Sequence, residues 1–121
     1  MAEHIDLGKQ GEQSAVNYLI RKGYKIIEQN WRFGKNEIDI IARDGKCIVV
    51  VEVKTRNSNY FAEPETNVTH EKQRILVRAA NAYVRNKHLN DEVRFDVIAI
   101  LAGQDEVQIN HIVDAFYPTL R

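Results

Sequence analysis

The chain has 121 residues, of which 44% are hydrophobic and 28% are charged, and its formal net charge at pH 7 is zero. This length predicts one domain around one hydrophobic core, and the composition is typical of a globular protein. Zero net charge argues against a protein that binds polyanions indiscriminately over its whole surface, although it allows a local basic patch.

Hydrophobic periodicity predicts seven elements in the order α-β-β-β-α-β-β. The first helix runs from Leu7 to about Arg21, and Gly23 ends it. The segments YKIIEQNWR, NEIDIIAR and CIVVVEVKT follow as three strands. Thr69 caps a second helix that runs to about Lys87, and RFDVIAILA and VQINHIV are the last two strands. Because the third and fourth strands are joined through a helix, we expect them to be parallel neighbours in a mixed sheet flanked by helices.

The single cysteine also bears on the expected compartment. Cys47 lies inside an apolar run, so a disulfide framework is excluded and a buried core position is expected. A reducing cytoplasm is the natural compartment for such a chain. The first residues, MAEHIDLGKQGEQ, lack a cationic segment followed by an apolar one, and no apolar run reaches the length of a membrane span. We therefore expect neither an export signal nor a membrane association.

The dipeptide DG at 44–45 predicts a two-residue hairpin turn between the second and third strands. In that register Glu37 lies opposite Glu52, and Asp39 lies opposite Val50, one diagonal step from Glu52. Because side chains alternate between the two sides of a strand, the hairpin has one mixed face and one apolar face. The mixed face holds Glu37, Asp39, Ile41, Ile48, Val50, Glu52 and Lys54, and the apolar face holds Ile38, Ile40, Ala42, Cys47, Val49, Val51 and Val53.

The mixed face is apolar near the turn and charged at its far end. We therefore expect another element to cover the near half, with the charges gathered at the margin of that element. Crowded carboxylates repel one another unless a cation, a lysine or a proton compensates them, so this pattern favours a metal site over a solvated face. Glu12 adds a fourth carboxylate beside the apolar stripe of the first helix, where Gly8 and Gly11 allow close approach. Gln73 has a similar position on the second helix.

EIDII followed by VEVK resembles the PD-(D/E)xK nuclease superfamily, whose signature then falls on Asp39, Glu52 and Lys54. The resemblance implies a restriction-endonuclease-like α/β fold with an α-β-β-β-α-β core over a single domain, residues 1–121. Over nearly its whole length the chain more closely resembles the YraN-type family of small uncharacterised bacterial proteins. The matching segments are GKQGEQSAVNYLIRKGYKIIEQNWR, NEIDIIARDG, VVVEVKTR, KQRI and RFDVIAI. The chain is also similar to archaeal Holliday-junction resolvases, which share the glutamate of the first helix, here Glu12.

This resemblance implies a metal-dependent nuclease that hydrolyses phosphodiester bonds in nucleic acid, such as branched or structured DNA. It implies oxygen ligands for Mg²⁺, or for Mn²⁺ as a substitute, from Asp39, Glu52, the backbone carbonyl of Val53, and Glu12, with Glu37 as a further candidate. Lys54 would orient the attacking water and contact the phosphate. Gln73 would position the water or a phosphate oxygen from the second helix.

Because the net charge is zero, nucleic acid must be bound through a local basic patch. Its candidates lie at the same end of the strands as the acids or at the start of the second helix, namely Arg32, Lys35, Arg56, Lys72 and Arg74. Trp31, Phe33, Tyr60 and Phe61 could stack on unpaired bases, although core positions are favoured for Trp31 and Phe33. His70, His88 and His111 lack the spacing of metal ligands, and we predict surface or capping positions for them.

The sequence leaves two alternatives open. The first is a non-catalytic nucleic-acid-binding or scaffolding module on an endonuclease-like fold, because a fold does not imply an activity. The second is a structural protein in which Lys54 pairs with Glu37 and Glu52. A homodimer is consistent with the resemblance, since junction resolvases cut symmetrically as pairs.

Overall fold

The computed structural model describes residues 7–57, 68–102 and 107–117. Their elements are α1 (Leu7–Arg21), β1 (Lys25–Phe33), β2 (Asn36–Asp44), β3 (Cys47–Asn57), α2 (His70–Asn86), β4 (Glu92–Ala102) and β5 (Val107–Phe116). The predicted order is confirmed. Within these ranges, neither helix combines the length and the apolar character that crossing a bilayer requires.

The strands form one five-stranded sheet in the order β1-β2-β3-β4-β5. The β3–β4 pair is parallel and the other pairs are antiparallel, because α2 carries the chain back to the starting edge of β3 before β4 begins. Thr69 caps α2 as predicted, and its hydroxyl oxygen accepts a hydrogen bond of 3.1 Å from the N–H of Lys72. A mixed sheet flanked by two helices is compatible with the α-β-β-β-α-β core that the resemblance implies.

The two helices cover opposite faces of the sheet. The cluster under α1 is formed by the inner side of this helix and the sheet face below it, and its buried residues are Ala15, Val16, Leu19, Ile40, Ala42, Val49, Val51, Ile98 and Ile100. The cluster under α2 is formed in the same way on the other face, and its buried residues are Ile38, Ile41, Ile48, Val50, Leu76, Ala79, Ala80, Tyr83, Phe95 and Phe116. The cover expected over the apolar half of the mixed face is therefore α2, and the charged half lies beyond its first turn.

The hairpin register differs from the prediction by two residues. Asp44 pairs with Cys47, so the turn consists of Gly45 and Lys46 rather than of Asp44 and Gly45. Gly45 has a φ of 62°, which glycine adopts without steric cost, and it takes the first turn position instead of the second. The predicted opposition of Asp39 and Val50 is therefore wrong.

A shift of two residues leaves every side chain of a strand on its original face. The last recorded β2–β3 pair before the charged end joins Ile40 to Val51, and the next residues are Asp39 and Glu52. Asp39 and Glu52 are thus the first residues beyond the pairing on their two strands, instead of the diagonal neighbours that the sequence predicted. Glu37 is no longer opposite Glu52.

Two residues of the predicted apolar face differ from the prediction, one in its face and one in its burial. Ile38 belongs to the cluster under α2 and Ile40 to the cluster under α1, so the strict alternation of β2 is broken between these two residues, where its pairing with β3 ends. Ile38 pairs with Trp31 of β1, whose ring packs edge-on against Tyr83. Cys47 is half-buried rather than fully buried, because it is the first residue of β3 and adjoins the exposed turn.

Candidate active site

Asp39 and Glu52 lie where the recorded β2–β3 pairing ends. Oδ2 of Asp39 accepts a hydrogen bond of 2.8 Å from the N–H of Val53. Since Val53 directly follows Glu52, this bond joins the carboxylate of Asp39 on β2 to β3 at the residue next to Glu52. The two acids predicted as the centre of the site are therefore brought together.

Glu52 is a largely buried acid whose two oxygens have different surroundings. Its side chain is 12% exposed, and Oε2 lies 3.8 Å from Nζ of Lys72. Oε1 is buried and accepts no hydrogen bond from the described residues. A buried carboxylate oxygen without a donor is costly, so Oε1 is suited to bind a ligand atom that carries positive charge.

Both acids have raised pKa values. Burial and, to a smaller extent, the charge of Glu52 together raise the pKa of Asp39 from 3.8 to about 7, although the Val53 hydrogen bond acts to lower it. Burial also raises the pKa of Glu52, against the positive charges of Lys72 and Lys54. Crowded, desolvated carboxylates of this kind are typical of functional sites.

Glu12 is carried to the site by a close helix–strand contact. A Cβ added to Gly11 would collide with the side chain of Thr55, so glycine is what lets the start of α1 lie directly on β3. Oε1 of Glu12 accepts a hydrogen bond of 3.1 Å from the side chain of Asn30. The charge of Glu12 raises the pKa of Asp39. The predicted fourth carboxylate therefore belongs to the electrostatic environment of the site.

Two lysines act on Glu52 from different elements. Lys54 is half-buried on β3, two residues after Glu52, and its charge lowers the pKa of that acid. Lys72 reaches the same carboxylate from the first turn of α2. We predicted Lys72 only as part of a basic patch. Its spacing of four residues from buried Leu76 is the sequence signal that could have placed it toward the sheet.

Glu37 and Gln73 are used elsewhere. Glu37 forms an exposed ion pair of 3.6 Å with Arg32 on β1, and its role as a metal ligand stays a prediction. Nε2 of Gln73 donates a hydrogen bond of 2.9 Å to the carbonyl of Val68, just before α2. That bond fixes the start of α2 and leaves the predicted catalytic role of Gln73 a prediction.

The other residues of the predicted patch lie at the surface or the rim. Lys35 and Arg74 are exposed, and Arg56 donates a hydrogen bond of 2.9 Å to the carbonyl of Thr55 near the end of β3. Trp31 and Phe33 pack against the cluster under α2, so the core positions favoured for them are confirmed. Tyr60 and Phe61, the other candidate stacking residues, lie outside the described residues.

The predicted metal ligands are only partly assembled. In residues 7–57, 68–102 and 107–117, no three side chains of His, Cys, Asp and Glu are grouped closely enough to hold a metal ion. Mg²⁺ keeps several waters and commonly binds through one or two carboxylates. Asp39 and Glu52 fit that requirement, because the buried Oε1 of Glu52 accepts no hydrogen bond from the part of the chain that the structure describes, and both acids are desolvated.

A buried polar network outside this site was missed. Both oxygens of Asp96, whose side chain is 0% exposed, accept hydrogen bonds of 2.9 Å from Arg94. Nε2 of His111 lies 2.7 Å from Oδ2 of Asp96, and the hydroxyl of Tyr18 on α1 lies 3.0 Å from Nδ1. Burial raises the pKa of Asp96, but the bonds to His111 and Arg94 outweigh it and hold the pKa below 3.8.

The surface or capping position predicted for His111 is therefore wrong, since its side chain is only 6% exposed. Strand alternation was the available signal. His111 shares a face with Ile109, which packs against the cluster under α1.

Comparison with known families gives a match over most of the chain. Residues 11–100 match the model described as "Uncharacterised protein family UPF0102". The chain belongs to this family. UPF0102 is the YraN family, so the resemblance seen in the sequence is confirmed.

Its UPF0102 relatives are similar over nearly their full length. The UPF0102 protein of Flavobacterium psychrophilum is 50% identical over 117 residues, which are 97% of this chain and 98% of the relative. The UPF0102 protein of Bacteroides thetaiotaomicron is 47% identical over 120 residues, 99% of each chain. That of Thermodesulfovibrio yellowstonii is 48% identical over 113 residues, 93% of this chain and 97% of the relative.

Proposed function

We propose that this UPF0102 chain is a metal-dependent nuclease that hydrolyses phosphodiester bonds in nucleic acid, with branched or structured DNA as the first candidate substrate. The observation that carries the proposal is the hydrogen bond from Val53 to Asp39, which joins one largely buried acid to the residue after another, with Lys54 two residues beyond Glu52. The resemblance to PD-(D/E)xK nucleases supports the same assignment.

Asp39 and Glu52 are the residues that would hold Mg²⁺ or Mn²⁺, with the carbonyl of Val53 and with Glu12 as further ligands implied by the resemblance. Bound there, the ion supplies positive charge beside the scissile phosphate and makes a water molecule more acidic. A carboxylate must be deprotonated to bind a cation. Because the pKa of Asp39 is about 7, the site should bind the ion more weakly below neutral pH.

Lys54 would bind the phosphate and orient the attacking water. It is the residue after Val53 and follows Glu52 on the same face of β3, and its ammonium group donates hydrogen bonds without competing as a ligand while protonated. Gln73 is a secondary candidate for positioning the water, because its side-chain nitrogen is already bonded to the carbonyl of Val68.

The test is a cleavage assay on labelled branched, nicked and linear DNA, and on RNA, with Mg²⁺ or Mn²⁺. We expect Asp39→Ala, Glu52→Ala and Lys54→Ala each to lower activity by about 100-fold or more while the protein stays folded. Asp91→Ala is the matched control, because Asp91 forms an ion pair with Arg43 away from the site. Equal activity in the parent and the three site variants would disprove the proposal.

A non-catalytic nucleic-acid-binding module is the second candidate. The ion pair between Lys72 and Glu52 favours it, because this lysine partly compensates the buried acid without any metal ion. Nucleic-acid binding without cleavage of any substrate in the panel would support this second function over the first.

A further inference from the structure

Lys72 occupies an unusual position for a residue of a nucleic-acid-binding patch. Its ammonium group lies 3.8 Å from Oε2 of Glu52, and its side chain is 37% exposed whereas that of Glu52 is 12% exposed. The lysine thus reaches from the surface of α2 toward a largely buried acid. Its own backbone N–H is bonded to the capping hydroxyl of Thr69, which fixes the start of the side chain.

The charge of Lys72 acts on both acids of the site. It lowers the pKa of Glu52 more than Lys54 does, and it also lowers the pKa of Asp39. In the protein without a bound cation, Lys72 is therefore a counter-ion that the two carboxylates share.

The ion pair between Lys72 and Glu52 is also of a kind that another cation can replace. At 3.8 Å the two groups are too far apart for a directional hydrogen bond, so the attraction is mainly electrostatic. A divalent cation bound to the same carboxylate would repel the ammonium group at this distance. The exposed part of the lysine side chain leaves it a path to solvent.

We propose that Lys72 and a divalent cation compete for Glu52, so that cation binding releases the Lys72 ammonium group to bind a phosphate of the nucleic acid. This coupling rests on the proposed function for the nature of its second ligand. Its consequence is reciprocal: the cation should strengthen nucleic-acid binding, and nucleic acid should strengthen cation binding by the same factor.

The first experiment titrates Mn²⁺ into the protein by calorimetry at pH 8, above the pKa of Asp39. We expect Lys72→Met to bind Mn²⁺ roughly tenfold more tightly than the parent, because one repelling charge is removed. Lys72→Arg, which keeps the charge, and Arg74→Met, which removes an exposed charge from the same helix, should bind Mn²⁺ as the parent does. Urea unfolding confirms that each variant is folded.

Unchanged or weaker Mn²⁺ binding by folded Lys72→Met would overturn the inference, and so would the lack of Mn²⁺ binding by every variant. The second experiment measures the affinity for a fluorescent DNA duplex with and without Ca²⁺. We expect Ca²⁺ to strengthen binding by the parent several-fold more than binding by Lys72→Met. An equal gain in both proteins would contradict the release of Lys72.

The results separate this inference from the proposed function. Tighter Mn²⁺ binding by Lys72→Met, together with no cleavage of any substrate, would support the competition and refute the nuclease. Cleavage by the parent, together with unchanged Mn²⁺ binding by Lys72→Met, would support the nuclease and refute the competition.

Discussion

The N–H of Val53 donates a 2.8 Å hydrogen bond to Oδ2 of Asp39, so the acid of β2 is bonded to the residue that follows the acid of β3. This bond holds Asp39 beside Glu52 although the two carboxylates repel. Its strength offsets only part of the cost, because burial and the charge of Glu52 still raise the pKa of Asp39 to about 7.

The raised pKa predicts a specific dependence of stability on pH. The folded protein binds the proton of Asp39 more tightly than the unfolded chain does. The resulting stabilisation is complete below 3.8 and is lost as the pH rises through about 7. Without divalent cations, Asp39 should therefore make the protein less stable at pH 8.5 than at pH 5.5, by at most about 2 kcal/mol.

Asp39→Asn isolates this contribution, because asparagine stays neutral and its side-chain oxygen can still accept the hydrogen bond from Val53. We expect a smaller loss of stability between pH 5.5 and pH 8.5 in the variant, measured by urea unfolding. The same pH dependence in both proteins would show that a raised pKa of Asp39 does not cause the loss of stability.

The contact of Gly11 with Thr55 predicts an unusual sign for a helix substitution. Replacing a glycine inside a helix by alanine normally stabilises the helix by up to about 1 kcal/mol. Gly11→Ala should instead lower the free energy of unfolding by about 1–3 kcal/mol, because the new Cβ would collide with Thr55. Ser14→Ala, also in α1, controls for helix propensity.

Thr55→Ala provides the complementary test in the same unfolding assay. Because it removes the nearest atom to the new Cβ, it should recover part of the stability lost in Gly11→Ala, so that the two substitutions are not additive. Simple additivity would contradict the collision.

The network around Asp96 should contribute more to stability than an accessible ion pair. Asp96→Ala leaves the guanidinium group of Arg94 without its main partner, and the expected loss is about 3–5 kcal/mol. Arg43→Ala breaks the more exposed pair with Asp91 and should cost no more than about 1 kcal/mol. Thermal and urea unfolding measure both. Similar losses in the two variants would mean that the network adds no special stability.

The stabilising contribution of the same network should also be lost at acidic pH. Because the pKa of Asp96 is held below 3.8, its contribution is present above that value and is lost as the pH falls through the lower folded pKa. Asp96→Asn should therefore show less acid destabilisation than the parent in circular dichroism titrations below pH 4. A parent-like acid transition in this variant would place the acid-sensitive group elsewhere.

Salt dependence tests the basic patch. Each phosphate contact contributes about 0.9 to the slope of log affinity against log salt for duplex DNA, so Lys35→Ala and Arg74→Ala should each lower the slope by about one. Arg32→Ala should have a smaller effect because Arg32 is paired with Glu37. Lys46→Ala, in the hairpin turn at the other end of β2 and β3, is the control. Equal effects of Lys46→Ala and Arg74→Ala would refute the predicted location.

Local patterns predicted much of the fold. The periodicity of α1 and α2 can be recognised within a single stretch of sequence, and so can the apolar runs of β3 and β4. The helix between β3 and β4 is typical of a parallel connection, which is the arrangement found. The register of the hairpin was missed by two residues, because a DG pair can occupy different turn positions. Which position it takes depends on where the backbone needs the positive φ found at Gly45.

The candidate site was predicted only in part, because strand alternation is a local pattern and contacts between distant elements are not. A shift of two residues in the pairing of β2 with β3 does not change the face on which a side chain lies. Asp39 and Glu52 were therefore expected on one face in either register. No local pattern states that Lys72 contacts Glu52 or that His111 contacts Asp96, since each pair joins elements that are distant in the chain.

The sequence by itself determined the order of the elements, the face on which most strand residues lie and the acids that meet at the end of β2 and β3. Only the tertiary structure decided the charge balance of that end. The pKa of Asp39, the burial of Oε1 of Glu52 and the ion pair between Lys72 and Glu52 depend on burial and on distances between α1, the sheet and α2. Electrostatic energies vary with separation and solvent access, and both are properties of the packed molecule rather than of any segment.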